Sequence, residues 1–142
     1  AVAVAAMWKQ VLGVSTELLH EEWKVFVNNR RQGLLTQAFG GGWIADYADP
    51  VSFLDLFRSG DPLNNTFYSD VDYDALLDTA AGHGGGQRLE LLQQAETRLL
   101  RDTPVIPLYY YVSRHLVDPR VRGYVDNPRD VHLSRYLDLG EP

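Results

Sequence analysis

The stretch Gly42-Trp43-Ile44-Ala45-Asp46-Tyr47-Ala48-Asp49-Pro50 sets the frame for the rest of the chain. It places an indole, a carboxylate and a phenol close together, behind the flexible run Gly40-Gly41-Gly42. Asp49-Pro50 is a helix start, with an acid at the N-cap followed by proline at the first helical position. An acid just ahead of such a start can face a cleft, flanked by rings that exclude water and stack on a ligand. The plainer alternative puts Trp43 and Tyr47 in the core and Asp46 in a turn.

Upstream of this stretch, Val4, Trp8, Val11 and Leu12 recur at helical spacing, with Gly13 where a terminating glycine belongs. Residues 14–19 read as a short strand. A second helix follows over 21–32, with acids at its start, bases at its end, and Trp23, Phe26, Val27 and Arg30 on one face. Residues 34–39 read as another short strand. Downstream, Phe53, Leu54 and Phe57 mark a helix that stops near Gly60, and Tyr73, Leu76, Leu77 and Ala80 mark the next. The spacing of Leu89, Leu92, Ala95 and Leu99 predicts a helix over 87–101, with Pro104 beyond its end. Residues 105–112 are β-branched and aromatic, and Pro107 within them points to an edge strand or a crossing between domains. Beyond them the chain reads as irregular, with one more strand near 136–139. The alternation favours an α/β fold with a mixed, partly parallel sheet flanked by helices.

The chain has 142 residues, enough for one domain with its own core. Its formal net charge is −6, and its 13 Lys and Arg form no run, so nucleic acid and anionic membrane surfaces are poor partners. No apolar run is long enough to span a bilayer. Without cysteine there is no disulfide, thiolate metal site or cysteine nucleophile. The apolar start, Ala1 to Ala6, has no basic segment ahead of it and reads as a helix, not as a signal peptide. Both ends are expected to fall inside a longer chain.

Enzyme chemistry finds little footing. His20-Glu21 opens like a zinc-protease helix, but the residue four after His20 is Lys24, so the second ligand is missing. His83-Gly84-Gly85-Gly86 is similar to an esterase oxyanion loop, yet no G-x-S-x-G elbow accompanies it. The glycine run 40–42 lacks the lysine of a phosphate loop. The four histidines show no spacing that suggests a shared metal, so no metal and no cofactor are expected.

Gly-Trp-x-Ala-Asp-Tyr-x-Asp-Pro over 42–50, with Phe53-Leu54, resembles the signature of oligopeptide-binding proteins in extracellular solute-binding protein family 5. Further blocks agree in order: Met7-Trp8-Lys9-Gln10, Leu12-Gly13-Val14, Glu22-Trp23-Lys24, Tyr73-Asp74 with Leu76, Arg88, Ala95-Glu96 and Leu99, residues 104–113, and Leu116-Val117 with Val121-x-Gly123-Tyr124. The resemblance implies a C-terminal fragment of a two-lobed periplasmic binding protein (type II, cluster C-like). Residues 1–104 would belong to the second lobe, and 105–142 to a return segment crossing toward an absent first lobe. It implies capture of an oligopeptide in the periplasm and delivery to an ABC permease of the inner membrane, not catalysis. In the family the signature acid meets the peptide's free amino group, and here that acid is Asp46. The resemblance further implies main-chain pairing with the peptide at Gly42 and Ile44, and side-chain pockets lined by Trp43, Trp23, Arg30 and Tyr111. Trp23 also fits a helix's core face, and Tyr111 ordinary strand packing. Some relatives carry an arginine shortly before the tryptophan, whereas this chain has Phe39-Gly40-Gly41-Gly42. Two other readings stay open: a peptide or ester hydrolase using Asp46 with a histidine, and a non-binding fragment that self-associates through an exposed lobe interface.

Overall fold

The computed structural model describes residues 1–35, 37–127 and 129–140, which form two compact units, 1–42 and 43–142. In the first unit, helix α1 (Val2–Met7) continues into a single wider π-helical turn over Trp8–Leu12. Gly13 ends it at φ 70°, a left-handed conformation that costs glycine little and a β-substituted residue much more. Helix α2 (Trp23–Arg31) starts where the Glu22 carboxylate accepts hydrogen bonds from the backbone N–H groups of Lys24 and Val25, at 2.9 and 3.3 Å. Arg30 and Arg31 sit at its last turn, the negative end of the helix dipole. None of the described side chains in 1–42 is buried.

The core lies in the second unit. Helix α3 (Val51–Leu54) passes into a 3-10 turn at Asp55–Phe57, and helices α4 (Val71–Ala81) and α5 (Gly85–Asp102) form a hairpin. Tyr73, Leu77 and Ala80 of α4 interlock with Leu92, Ala95 and Leu99 of α5, and Leu54 closes one end. Each fully buried leucine contributes about 1.5–3 kcal/mol of transfer free energy. The Tyr73 hydroxyl donates a 2.6 Å hydrogen bond to the buried Leu54 carbonyl, which fixes α3 against α4. Asp70 caps α4 by accepting from the backbone N–H groups of Asp72 and Tyr73 and also accepts from Arg98 Nε of α5 at 2.6 Å. Further along, β1 (Val121–Arg122) pairs antiparallel with β2 (Asp138–Leu139), Val121 opposite Leu139. Gly123 follows β1 at φ 79°, and a Cβ there would collide with the Tyr136 carbonyl.

The helices follow the sequence pattern closely, with two shifts. Helix α5 opens at Gly85, two residues before the expected Gln87. Its buried stripe is 92, 95 and 99, while Leu89 is half exposed. Arg88, one turn before Leu92, takes that place on the stripe and reaches α3's entrance instead. The expected strands are the larger difference. Residues 14–19, the described part of 34–39, and 105–112 lie outside any helix or strand, and the only sheet among the described residues is the antiparallel pair. Apolar, β-branched composition makes a segment fit for a sheet, but a strand exists only when a neighbour satisfies its N–H and C=O groups.

Candidate functional site

The segment 43–50 is held from both ends of its own unit. Asp49 Oδ1 accepts from the Val51 backbone N–H at 2.9 Å and from Arg88 Nη2 at 2.8 Å. The Arg88 hydrogen bond, with the Val51 N–H second to it, holds the Asp49 carboxyl below the usual carboxylate range. Arg88 thereby ties the turn before α3 to the first turns of α5. Two residues beyond the α3 cap, the buried Ser52 hydroxyl accepts a 2.8 Å bond from the Asp46 backbone N–H. That bond folds 46–49 back over the helix start and fixes the Asp46 main chain.

The two acids of the stretch therefore do different work. Asp49 is consumed by capping and by its arginine. The Asp46 side chain is exposed and makes no hydrogen bond or ion pair among the described residues. Trp43 and Tyr47 flank it at 39% and 49% exposure, so neither ring is core, and Ile44 is more open still. The result is an available anion with accessible aromatic residues near it in sequence, on a backbone that is itself restrained.

The other expected residues fall elsewhere. Tyr111, on the 105–112 stretch, is exposed and makes no aromatic ring contact among the described residues. In the first unit, Trp23 and Arg30 meet through a common neighbour. The Trp23 and Phe26 rings lie 5.8 Å apart, and the Arg30 guanidinium sits 5.4 Å over Phe26, which also meets Phe39 edge-on at 6.4 Å. Arg30 Nε is buried and without a hydrogen-bond partner among the described residues. Trp23 is 68% exposed, which removes the core-face reading of that residue. Gly42 is exposed, and a Cβ there would meet nothing within 4 Å.

Sequence spacing missed two features. Ser52 carries no motif, and Arg88, one of the positions of the family resemblance, was given no role, although it could have been found as the cation standing on an otherwise apolar helix stripe. The histidines are also less scattered than their spacing suggests, because His115 and His132 converge on Asp130. Seventeen positions separate them in sequence, a gap that matches no ligand motif. His83 is not part of that cluster; just past the end of α4, its Nδ1 lies 2.8 Å from the Thr79 carbonyl.

No family model matches the chain. The periplasmic oligopeptide-binding protein OppA of Salmonella typhimurium is 42% identical to it over 125 residues, 87% of this chain and 23% of that protein. The solved structure of Burkholderia pseudomallei OppA has a TM-score of 0.84 at 34% identity, and the match covers 99% of this chain and 28% of that one. Haemophilus influenzae OppA, solved in complex with the peptide RPPGFSPFR, has a TM-score of 0.82 at 29% identity over 99% of this chain and 28% of its own. The chain thus spans about a quarter of the length of the relatives it matches. Its fold is that of part of a two-lobed periplasmic peptide-binding protein, as its sequence implied. With identity at this level along nearly its whole length and the same chain path, the chain belongs to the family of periplasmic oligopeptide-binding proteins.

Proposed function

We propose that this chain supplies one wall of a peptide receptor that captures oligopeptides in the periplasm and hands them to an ABC permease. In this reading 1–104 belong to the second lobe and 105–142 to the segment returning toward the first. The Asp46 carboxylate pairs with the α-ammonium of an extended peptide. Main-chain groups at Gly42 and Ile44 add the peptide as a strand, and Trp43 covers a side chain. Trp23, Arg30 and Tyr111 line further pockets.

The observation that carries this reading is the division of labour between the two acids. An exposed carboxylate, left unpaired among the described residues while Asp49 is taken by Val51 and Arg88, is suited to an external cation. At about 4 Å an ammonium gains on the order of 4 kcal/mol from such a group at an effective dielectric of 20, before desolvation. Contact with the amino terminus and main chain accepts any side-chain sequence, as an oligopeptide receptor requires. A hydrolase using Asp46 gains no support, since no histidine bonds to Asp46 among the described residues.

The test is Asp46→Asn in a full-length receptor carrying this sequence. Asparagine keeps the size and the backbone bond to Ser52 but removes the charge. Peptide affinity measured by calorimetry is expected to fall at least about tenfold, equivalent to roughly 1.4 kcal/mol. Unchanged affinity would remove the ammonium-pairing claim.

A further inference from the structure

Segments before and after β1 bring together a second constellation, far in sequence from the Asp46 stretch. Asp130 Oδ1 lies 2.7 Å from His115 Nε2 and 3.1 Å from His132 Nε2. The three candidate ligand atoms all fall within 4.8 Å of one another. The two imidazole rings are 5.4 Å apart and nearly perpendicular, so their nitrogens converge without the rings stacking.

Both the rings and the carboxylate are braced. Tyr124 stacks on His132 at 3.9 Å with an angle of 15° and also meets His115 at 5.7 Å. The Tyr124 hydroxyl is buried and has no hydrogen-bond partner among the described residues. Asp130 itself sits at φ 52°, a left-handed conformation that is uncommon outside glycine and worth noting beside reactive groups. Asn127 holds it there. Its side-chain amide donates to the Val125 and Val131 carbonyls, its side-chain oxygen accepts from the Arg129 and Val131 N–H groups, and its carbonyl accepts from the Asp130 N–H. An acid fixed in a strained position between two braced imidazoles is a pre-arranged donor set.

We propose that His115, Asp130 and His132 form a binding site for a single divalent transition cation of the zinc type. Two imidazole nitrogens and one carboxylate oxygen are a recurrent zinc ligand set that leaves a fourth position open to water or to a further ligand. Calcium and magnesium fit poorly, because they require several oxygen ligands and only one carboxylate is present. Zinc bonds of about 2.0–2.2 Å in tetrahedral geometry separate neighbouring ligand atoms by roughly 3.3 Å. The two separations from Oδ1, 2.7 and 3.1 Å, lie close to that spacing, so the cation enters by replacing those two hydrogen bonds with small side-chain movements.

The probe is Zn2+ titrated into the 142-residue chain by calorimetry, with Co2+ as a spectroscopic substitute. The expected result is one equivalent bound and a visible Co2+ ligand-field band. Imidazole nitrogen shifts on Zn2+ addition should be confined to His115 and His132. His115→Ala, His132→Ala and Asp130→Asn should each weaken binding at least tenfold, while the double variant His20→Ala/His83→Ala should bind as the parent does. Circular dichroism of each variant separates loss of ligand from loss of fold, and the nitrogen shifts of the unaltered chain report on the site without any substitution. Absence of Zn2+ binding would overturn the proposal. So would shifts at His20 or His83, or affinity that survives both single histidine substitutions.

Discussion

Tyr73 is the residue on which the core of the second unit closes. Its ring is fully buried between the helices, and its hydroxyl donates to the buried Leu54 carbonyl at the point where α3 gives way to the 3-10 turn. Tyr73→Phe keeps the ring and removes that hydrogen bond, so unfolding free energy should fall by about 0.5–1.5 kcal/mol. Urea denaturation checks this, with the midpoint moving down and the slope unchanged. The same scale shows what single residues disclosed in advance. Asp49 was readable as a cap because proline follows it. The separate fate of Asp46 was not readable, since two acids three positions apart look alike until Arg88 arrives from another helix to claim one of them.

Among the elements, α4 and α5 are joined at a charged seam as well as an apolar one. Arg98 meets Asp70 at 2.6 Å and Asp72 at 2.8 Å, while Asp70 also caps α4. The Arg98 hydrogen bond, with the Tyr73 and Asp72 N–H groups, lowers the Asp70 carboxyl to about 2. Because the folded value lies below the ordinary 3.8, the native state favours the anion. Its stabilisation is therefore complete above that ordinary value and is lost as pH falls through the window from there to about 2. Thermal melts across that window should show a steep loss of stability, shallower in Asp70→Asn, which retains an oxygen to cap with but cannot titrate. Equal slopes for the two proteins would exclude Asp70 as the source. Helix periodicity revealed both elements and nearly all of their buried faces. It placed Leu89 on the stripe because an apolar residue outranks an arginine in any pattern count, whereas the fold gives that position to Arg88 and its distant carboxylate.

At the level of the whole molecule, the chain matches relatives about four times its length, and a binding cleft needs enclosure on more than one side. Peptide affinity of the 142-residue chain should accordingly be weaker than that of a full-length receptor carrying it by on the order of a hundredfold or more. Parallel calorimetry with one peptide compares them, and micromolar or tighter binding by the chain alone would contradict the account. The exposed Tyr109, Tyr110 and Tyr111 and the unpaired stretches 14–19 and 105–112 belong to the same picture, since these segments have strand composition without a strand partner.

The sequence by itself determined the helices, the family and the stretch where an acid stands among aromatic residues, because each depends on neighbours a few positions apart. Only the tertiary structure decided which carboxylate was left unpaired, that Arg88 would hold the turn, that the expected strands at 14–19 and 105–112 would find no strand partner among the described residues, and that His115, Asp130 and His132 would meet. Those outcomes rest on contacts between residues remote along the chain. Local periodicity carries no information about which distant group will supply a missing charge, hydrogen bond or ligand.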